Sequence, residues 1–357
     1  MAILLSQVSL FDITSLSFFS PTEKSFDFQS SDFYQQVAHA RDERILDDKI
    51  VVVPIDNLSR SEIAQLVEDV EQCSPVAIGL DVIFQYATAD DSLLQAVIDR
   101  TPTLVLPTGV YAEEGEPGQW MLMKTLKFAG KESVCYGVAN MNILHPYNVV
   151  RSFVPFYGTD KGVVPNFAVA LASYADTTVL HDDELRNHEE VYINYPSREF
   201  DIIPPDAVLE RYEDIENKIV LLGALTESQD LHATPIVDAM SGVLIHAHAL
   251  ATIVHKSYVK ELPRAVLWIL AFLLCVIFVA TNSLLNRYPA GNMLMRLFQL
   301  TMLYVTIVMG CVLFIKYQLI FELSIPLLLI ALGIMALDFW NGIVWIFEFI
   351  INKIKKL

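Results

Sequence analysis

A long uncharged stretch near the C-terminus, residues 265–285, constrains this chain more than any other feature of its sequence. A helix of that length crosses the hydrocarbon core of a bilayer, since each residue adds about 1.5 Å. A second uncharged run covers residues 297–315, and a third apolar run begins near Leu319 and extends to Asp338, with Glu322 near its start. Three such runs close together argue against buried helices of a soluble domain. They predict an all-α transmembrane region of three helices within residues 263–357.

The composition excludes several other classes of protein. The chain has 357 residues, is 54% hydrophobic and carries a formal net charge of −18. A disordered chain would be far less apolar, and a nucleic-acid-binding protein would be basic, so we expect no nucleic-acid partner. Four cysteines in a chain of this length do not form a disulfide scaffold. Beyond Pro263 basic residues outnumber acidic ones, so the acidic excess lies in residues 1–262.

The charges of the short loops predict the orientation in the membrane. Arg287 and Arg296 flank the connection between the first two runs, the C-terminus ends in lysines, and Lys316 stands alone on the other side. By the positive-inside rule, that connection and the C-terminus are cytoplasmic. We therefore expect a multi-pass protein of the cell (inner) membrane whose acidic domain, residues 45–262, is extracytoplasmic.

The N-terminal segment, residues 1–44, does not explain how such a domain crosses the membrane. Its first residues lack a basic region and a cleavage site, and Asp12 interrupts their apolar stretch. This pattern is typical of neither a signal peptide nor a transmembrane helix. Our hypothesis is that the natural chain begins upstream with one more transmembrane helix and that residues 1–44 follow it.

Residues 45–262 alternate between strand and helix patterns. An apolar β-branched run from Lys49 to Ile55 predicts a strand covered on both faces. Ser59 and Glu62 then fit a capping box that begins a helix, and Val76 to Phe84 is a second buried strand. This β-α-β unit predicts an α/β fold with a mixed, partly parallel sheet flanked by helices. Further strands are predicted at 103–106, 134–138, 149–156, 191–195 and 219–222, further helices at 90–98, 165–174, 205–211 and 243–258, and a solvated loop at 111–119.

No catalytic signature is present in the sequence. Phosphate-binding loops, dinucleotide-binding glycines, nucleophile elbows and zinc-protease motifs are absent, so we expect neither an enzyme nor a cofactor. His246 and His248 cannot share a helical face, and His248 and His255 lie two turns apart, which argues against a metal site. Cys73 and Cys135 are buried apolar residues or, alternatively, a disulfide pair.

Two aspartates occupy positions where open α/β sheets bind ligands. Asp56 and Asp81 each lie at or near the carboxyl end of a predicted parallel strand, and adjacent strands would bring them close. They either contact a ligand or simply cap the turns that follow.

The order of several motifs resembles a known sensory family. IVVVPIDNLSRSEIAQLVEDV, SPVAIGLDVIF, DDSLLQAV, KIVLLGALTESQDLHATP and MSGVLIHAHALATIV, ahead of apolar helices, resemble the second class of CHASE domain, a sensory extracellular module. The resemblance implies an extracytoplasmic sensor between an N-terminal transmembrane helix and usually three C-terminal ones. Family-like positions are Asp56, Gly79, Asp81, Asp91, Gly223, Asp230, Thr234, Pro235, Gly242, His246 and Ala247. Among them the candidate ligand-binding residues are Asp56, Asp81, Asp91, Asp230 and His246.

The sequence departs from that family in two ways. Asn57 stands where an acidic residue is common, and no output domain follows the last apolar helix, so we expect no catalytic output in this chain. Our preferred hypothesis is a membrane receptor subunit that binds an unknown extracytoplasmic ligand and signals to a separate protein. The alternatives are a scaffold subunit of a cell-envelope complex and an extracytoplasmic metal-dependent enzyme using Asp56, Asp81 and Asp230.

Overall fold

The computed structural model describes residues 29–41, 45–84, 86–112, 120–122, 135–141, 149–159, 162–285 and 287–354. The chain divides into two compact units. Among the described residues, unit 1 contains 35–259, and unit 2 contains 29–34 and everything from 260 onward. Most of residues 1–44, on which the hypothesis of a preceding transmembrane helix depends, lie outside the described residues, as does most of the predicted loop 111–119.

A parallel sheet forms the centre of unit 1. Its strands, numbered in chain order through the whole protein, are β1 (Ile45–Pro54), β2 (Ala77–Asp81), β3 (Leu104–Thr108), β6 (Cys135–Val138), β11 (Arg198–Ile202) and β12 (Ile219–Gly223). They lie in the order β11-β1-β12-β2-β3-β6, and every neighbouring pair is parallel. The prediction of an α/β fold with parallel pairing is confirmed. Mixed pairing occurs in a separate sheet of β4 (Val110–Ala112), β5 (Trp120–Leu122), β8 (Phe156–Thr159) and β9 (Gly162–Pro165), in that order.

Helices cover both faces of the parallel sheet. Successive residues of a strand point to opposite faces, so Ile50 and Val52 enter one core while Val51 and Val53 enter the other. The first core lies under α4 (Phe167–Ala175) and α7 (Gly242–Val254), and the second under α2 (Arg60–Gln72) and α3 (Asp91–Arg100). A strand covered on both faces is what the continuous apolar run of β1 predicts.

The local sequence determines where α2 begins. The Ser59 hydroxyl accepts the Glu62 N–H at 3.3 Å, and a Glu62 carboxylate oxygen accepts the Ser59 N–H at 2.7 Å, so the predicted capping box is confirmed. Helix α3 begins without such a cap. Asp90 occupies the cap position but its side chain makes no capping hydrogen bond.

Several predicted boundaries differ from the structure for identifiable reasons. The predicted strand 149–156 is divided into β7 (Ser152–Phe153) and β8, with Pro155, which has no N–H to donate, between them. Residues 205–211 form a short 3-10 helix (Pro205–Ala207) and turns rather than an α-helix. Helix α7 ends at Val254 instead of near Tyr258, because Lys256 has the left-handed φ of 49°.

The remaining elements of unit 1 are short. They are α5 (Asp183–Arg186), α6 (Tyr212–Ile215), β10 (Val191–Tyr192), β13 (Leu231–His232), β14 (Met240–Ser241) and 3-10 helices at Thr177–His181, Tyr195–Ser197 and Ser228–Asp230. Strand β10 pairs antiparallel with β7, and β13 pairs antiparallel with β14.

Unit 2 consists mainly of three long helices, α8 (Arg264–Leu285), α9 (Gly291–Tyr317) and α10 (Ser324–Ile354). In the described part of the chain, two of them, α8 and α9, are long and apolar enough to cross a membrane, rather than the three predicted. Helix α10 carries the acidic Asp338 near its middle, so its length alone does not establish a third span. It runs without interruption through Asn341 and Gly342, although an Asn-Gly pair is typical of turns.

Helix α1 (Ser30–Ala40) contributes residues to both units. Within unit 2, the Tyr34 hydroxyl donates to the Phe321 carbonyl at 2.5 Å, and its ring stacks on Phe314. A parallel pair of β15 (Lys260–Glu261) and β16 (Leu319–Ile320) completes that unit. Within unit 1, the Gln36 side chain donates to the Pro235 carbonyl at 2.9 Å.

The capping box yields a stability prediction. Replacing Ser59 with alanine removes the acceptor for the Glu62 N–H, and we expect unfolding to become easier by about 1 kcal/mol. Thermal denaturation of the purified full-length protein, followed by circular dichroism, measures the change. Ser92→Ala is the matched control, since Ser92 is exposed in the first turn of α3 but is not the N-cap of that helix. An equal loss in both variants would contradict the capping role.

Candidate functional site

A pocket opens at the carboxyl edge of the parallel sheet. Strands β1, β12 and β2 end side by side there, with Pro54 in register with Gly223 and Gly223 in register with Asp81. The pocket has a volume of about 790 Å³, which is the size of a small-molecule site. Open α/β sheets bind their ligands at this edge, because the loops that follow the strands converge on it.

Four of the five candidate ligand-binding residues line this pocket. They are Asp56, Asp81, Asp230 and His246. The other lining residues are Ile55, Asn57, Leu58, Ile63, Val82, Ile83, Ala139, Met141, Ala224, Thr226, Glu227, Gln229 and His232. That Asp56, Asp81, Asp230 and His246 bind a ligand stays a prediction, whereas their positions around the pocket are features of the structure.

The order of the strands differs from the simplest expectation. Asp56 and Asp81 are not on adjacent strands, because β12 lies between β1 and β2. The strand that separates them ends in Gly223, so no side chain of that residue fills the space beside Asp81. The loop after β12 supplies Thr226, Glu227 and then Asp230 to the same pocket.

Two glycines allow α7 to approach the end of the sheet. A Cβ on Gly223 would lie 2.6 Å from the Val243 side chain, and a Cβ on Gly242 would lie 2.6 Å from the carboxylate oxygens of Asp230. Both distances are below van der Waals contact, so a side chain at either position would displace α7. The Gly242 N–H donates to Asp230 at 3.1 Å, which places a carboxylate at the positive end of the helix.

Asp81 and His246 face each other without a hydrogen bond. The Asp81 Oδ1 and His246 Nε2 atoms are 3.9 Å apart, which is too far for one. Their side chains are 13% and 5% exposed, and the imidazole packs edge-on against Phe167. Burial raises the pKa of Asp81, the nearby Asp230 raises it further, and His246 and His232 oppose the rise.

The surroundings of Asp56 shift its pKa in the opposite direction. Its carboxylate accepts the N–H of Leu225 at 3.0 Å, and the N–H and hydroxyl of Thr226 at 2.8 and 2.5 Å. Burial alone would raise the pKa of Asp56, but these hydrogen bonds lower it below the ordinary value. Asp56 therefore ties the end of β1 to the loop after β12.

Asp91 lies outside the pocket. Its carboxylate forms an ion pair with Arg60 and accepts the N–H of Thr88 at 3.1 Å. Burial would raise the pKa of Asp91, but the hydrogen bonds from Thr88 and Arg60 lower it. The same carboxylate fixes the start of α3 and joins it to α2.

The sequence reasoning missed two titratable lining residues, Glu227 and His232. His232 Nε2 lies 3.3 Å from Asp230 Oδ1. The signal for His232 was its spacing of two residues from Asp230, because alternate residues of an extended segment point the same way. Glu227 has no comparable signal in its local sequence.

The other groups considered from the sequence have structural roles. His248 packs between Tyr195 and Phe200, and burial lowers its pKa to about 3, so it stays neutral. Cys73 and Cys135 are free thiols. Within the described residues, one compact metal-ligand group exists, formed by Asp47, Asp48 and His255, which do not line the pocket.

Comparison with known proteins gives one match. The family model of the CHASE2 domain matches residues 8–284. None of the curated proteins and none of the solved structures match the chain.

The buried carboxylate of Asp81 predicts a pH-dependent stability effect. The folded state holds the Asp81 proton more tightly than the unfolded state does, because burial raises the pKa. Its stabilising contribution is complete below the ordinary aspartate pKa of about 4 and is lost as the pH rises. We therefore expect Asp81→Asn to stabilise the ligand-free protein by about 1 kcal/mol near neutral pH and by less near pH 4.

Thermal denaturation at the two pH values measures this effect. Asp91→Asn is the matched control with the same change of charge, and it should destabilise at neutral pH because it weakens the contacts with Arg60 and Thr88. Destabilisation by Asp81→Asn at neutral pH would show that the carboxylate is compensated in the folded state.

Proposed function

We propose that this chain is a membrane-anchored sensor whose unit 1 binds a ligand outside the cytoplasm, because the chain belongs to the CHASE2 family of extracellular sensory domains. Two apolar helices, α8 and α9, indicate a membrane protein. Unit 2 is the membrane anchor in this proposal, with α10 as a third span and the C-terminus in the cytoplasm. A CHASE2 domain is sensory rather than catalytic, so the role of the pocket is recognition.

The proposal rests on the positions of Asp81 and His246 and on the lack of a hydrogen bond between them. Both side chains are buried, both face a pocket of about 790 Å³, and no hydrogen bond joins them. A buried polar group without a partner costs free energy, which a purely structural site would avoid. A ligand bound in the pocket would supply the missing partners.

The charges of the short loops support the proposed orientation of the chain in the membrane. Arg287 and Arg296 lie beside the connection between α8 and α9, which supports a cytoplasmic location for that connection. Unit 1, which precedes α8, then lies on the opposite side of the membrane. The sensory pocket is thereby exposed to extracytoplasmic ligands.

The chain offers a direct route from the pocket to the anchor. His246 lines the pocket from the first half of α7, and the chain leaves unit 1 at Val259, shortly after α7 ends. A second passage between the units occurs within α1, between Tyr34 and Gln35. A ligand that binds two positions of α7 with different affinity would shift their populations and pass that shift to a separate signalling protein.

Topology reporters test the orientation. Alkaline phosphatase inserted after Glu261 of the full-length protein should be active, whereas the same enzyme inserted after Tyr288 should be inactive, because the first position is proposed to be extracytoplasmic and the second cytoplasmic. Green fluorescent protein fused at the same positions should give the opposite pattern and controls for expression. Phosphatase activity only after Tyr288 would overturn the receptor proposal.

Association with a partner tests the signalling role. The experiment cross-links the full-length protein to its neighbours in cells and compares the wild type with Asp81→Asn. We expect the amount of at least one cross-linked partner to differ at least about twofold, since the pocket is proposed to control the signalling state. Quantitative mass spectrometry of the cross-linked material provides the measurement. Asp91→Asn should leave the pattern unchanged, because Asp91 lies outside the pocket. A stable partner that is captured equally with all three proteins would favour an envelope scaffold instead.

A further inference from the structure

The charges around the pocket select the class of ligand. Four carboxylate side chains line it, from Asp56, Asp81, Glu227 and Asp230. No lysine or arginine is present among the described residues that line it, and its only basic groups are the imidazoles of His232 and His246. An anionic ligand would meet like charges here, whereas a cation would be attracted.

Three of these carboxylates differ in the number of hydrogen bonds that they accept from the protein. Asp56 accepts three hydrogen bonds, and Asp230 accepts the Gly242 N–H and contacts His232. In the described part of the chain, by contrast, Asp81 receives no hydrogen bond. His246 is only 4% exposed, and its Nε2 atom likewise has no hydrogen-bond partner among the described residues. The two groups, which face the pocket without a hydrogen bond from the described residues, therefore mark the position where a ligand can donate hydrogen bonds.

The dimensions of the pocket argue for an organic cation rather than a bare metal ion. A metal ion requires at least three ligand atoms close together, and the compact group of this kind within the described residues, Asp47, Asp48 and His255, lies elsewhere. Apolar residues, among them Ile55, Ile63 and Met141, also line the pocket. Apolar lining residues suit the carbon skeleton of a small molecule.

We propose that this pocket binds a small organic ammonium ion, whose charged nitrogen lies between Asp81 and His246 and whose carbon skeleton contacts apolar lining residues. This inference rests on the proposed sensor function and specifies its ligand. A protonated primary amine has three N–H donors, so it can donate to the Asp81 carboxylate and to the His246 ring nitrogen at once. The negative charge of Asp230 adds a favourable electrostatic contribution.

Calorimetric titration of the full-length protein in detergent tests the ligand class. The probes are 1,4-diaminobutane and phenethylamine, with 1,4-butanediol as the matched neutral compound, succinate as the matched anion and zinc chloride as the metal, all at equal ionic strength. We expect saturable binding of at least one amine and none of butanediol or succinate. Any zinc that binds should bind equally to the wild type and Asp81→Asn, because the metal-ligand group of Asp47, Asp48 and His255 lies outside the pocket. The affinity for that amine should fall at least about tenfold in Asp81→Asn, the loss expected for a charge-assisted hydrogen bond, and stay unchanged in Asp91→Asn.

Each other result overturns the inference in a distinguishable way. Failure of both amines to bind the wild type refutes the ammonium class. Binding of succinate or zinc that is weakened by Asp81→Asn, without binding of an amine, also refutes it, but leaves the pocket as a ligand site and the sensor function intact. Amine binding that is equal in the wild type and Asp81→Asn places the cation elsewhere. The cross-linking experiment judges the sensor function separately, because it uses no added ligand.

Discussion

The close approach of α7 to the carboxyl edge of the sheet is the constraint on which the candidate site depends. Gly223 at the end of β12 and Gly242 at the start of α7 leave room that any side chain would fill. Because the helix approaches so closely, Asp230 accepts the Gly242 N–H, and His246, one turn further along, faces the end of β2. The histidine is thus positioned by backbone packing rather than by hydrogen bonds of its own.

The carboxylates at this end of the sheet show how a structural aspartate differs from a candidate ligand-binding one. Hydrogen bonds lower the pKa of Asp56 and of Asp91, so the fold stabilises their charged forms. Burial raises the pKa of Asp81, so the fold disfavours its charged form. Folded proteins are only marginally stable, and an uncompensated buried charge is a substantial part of that margin. The contrast between these aspartates, rather than their shared position near strand ends, singles out Asp81.

Local signals in the sequence predict the local structure well and the arrangement of the strands poorly. The capping residues Ser59 and Glu62 and the apolar β1 run act over a few residues, and the structure contains both features where the sequence places them. The insertion of β12 between β1 and β2 joins segments far apart in the chain, and no periodic pattern encodes such a pairing. The sequence therefore identified Asp81 and His246 separately. Their juxtaposition, and the absence of a hydrogen bond between them, required the tertiary structure.

The environment of Asp81 and His246 also limits the free energy that ligand binding can contribute to signalling. In the proposed mechanism, the ligand-free state bears the cost of a buried carboxylate without a donor, and the bound state does not. A penalty of this kind is about 1–3 kcal/mol, which corresponds to a change of about 5- to 150-fold in a two-state equilibrium. Only the part that differs between two positions of α7 can be transmitted, because a ligand shifts an equilibrium by its difference in affinity alone. His246 is the residue through which that difference would act, since it lies on α7 and faces Asp81.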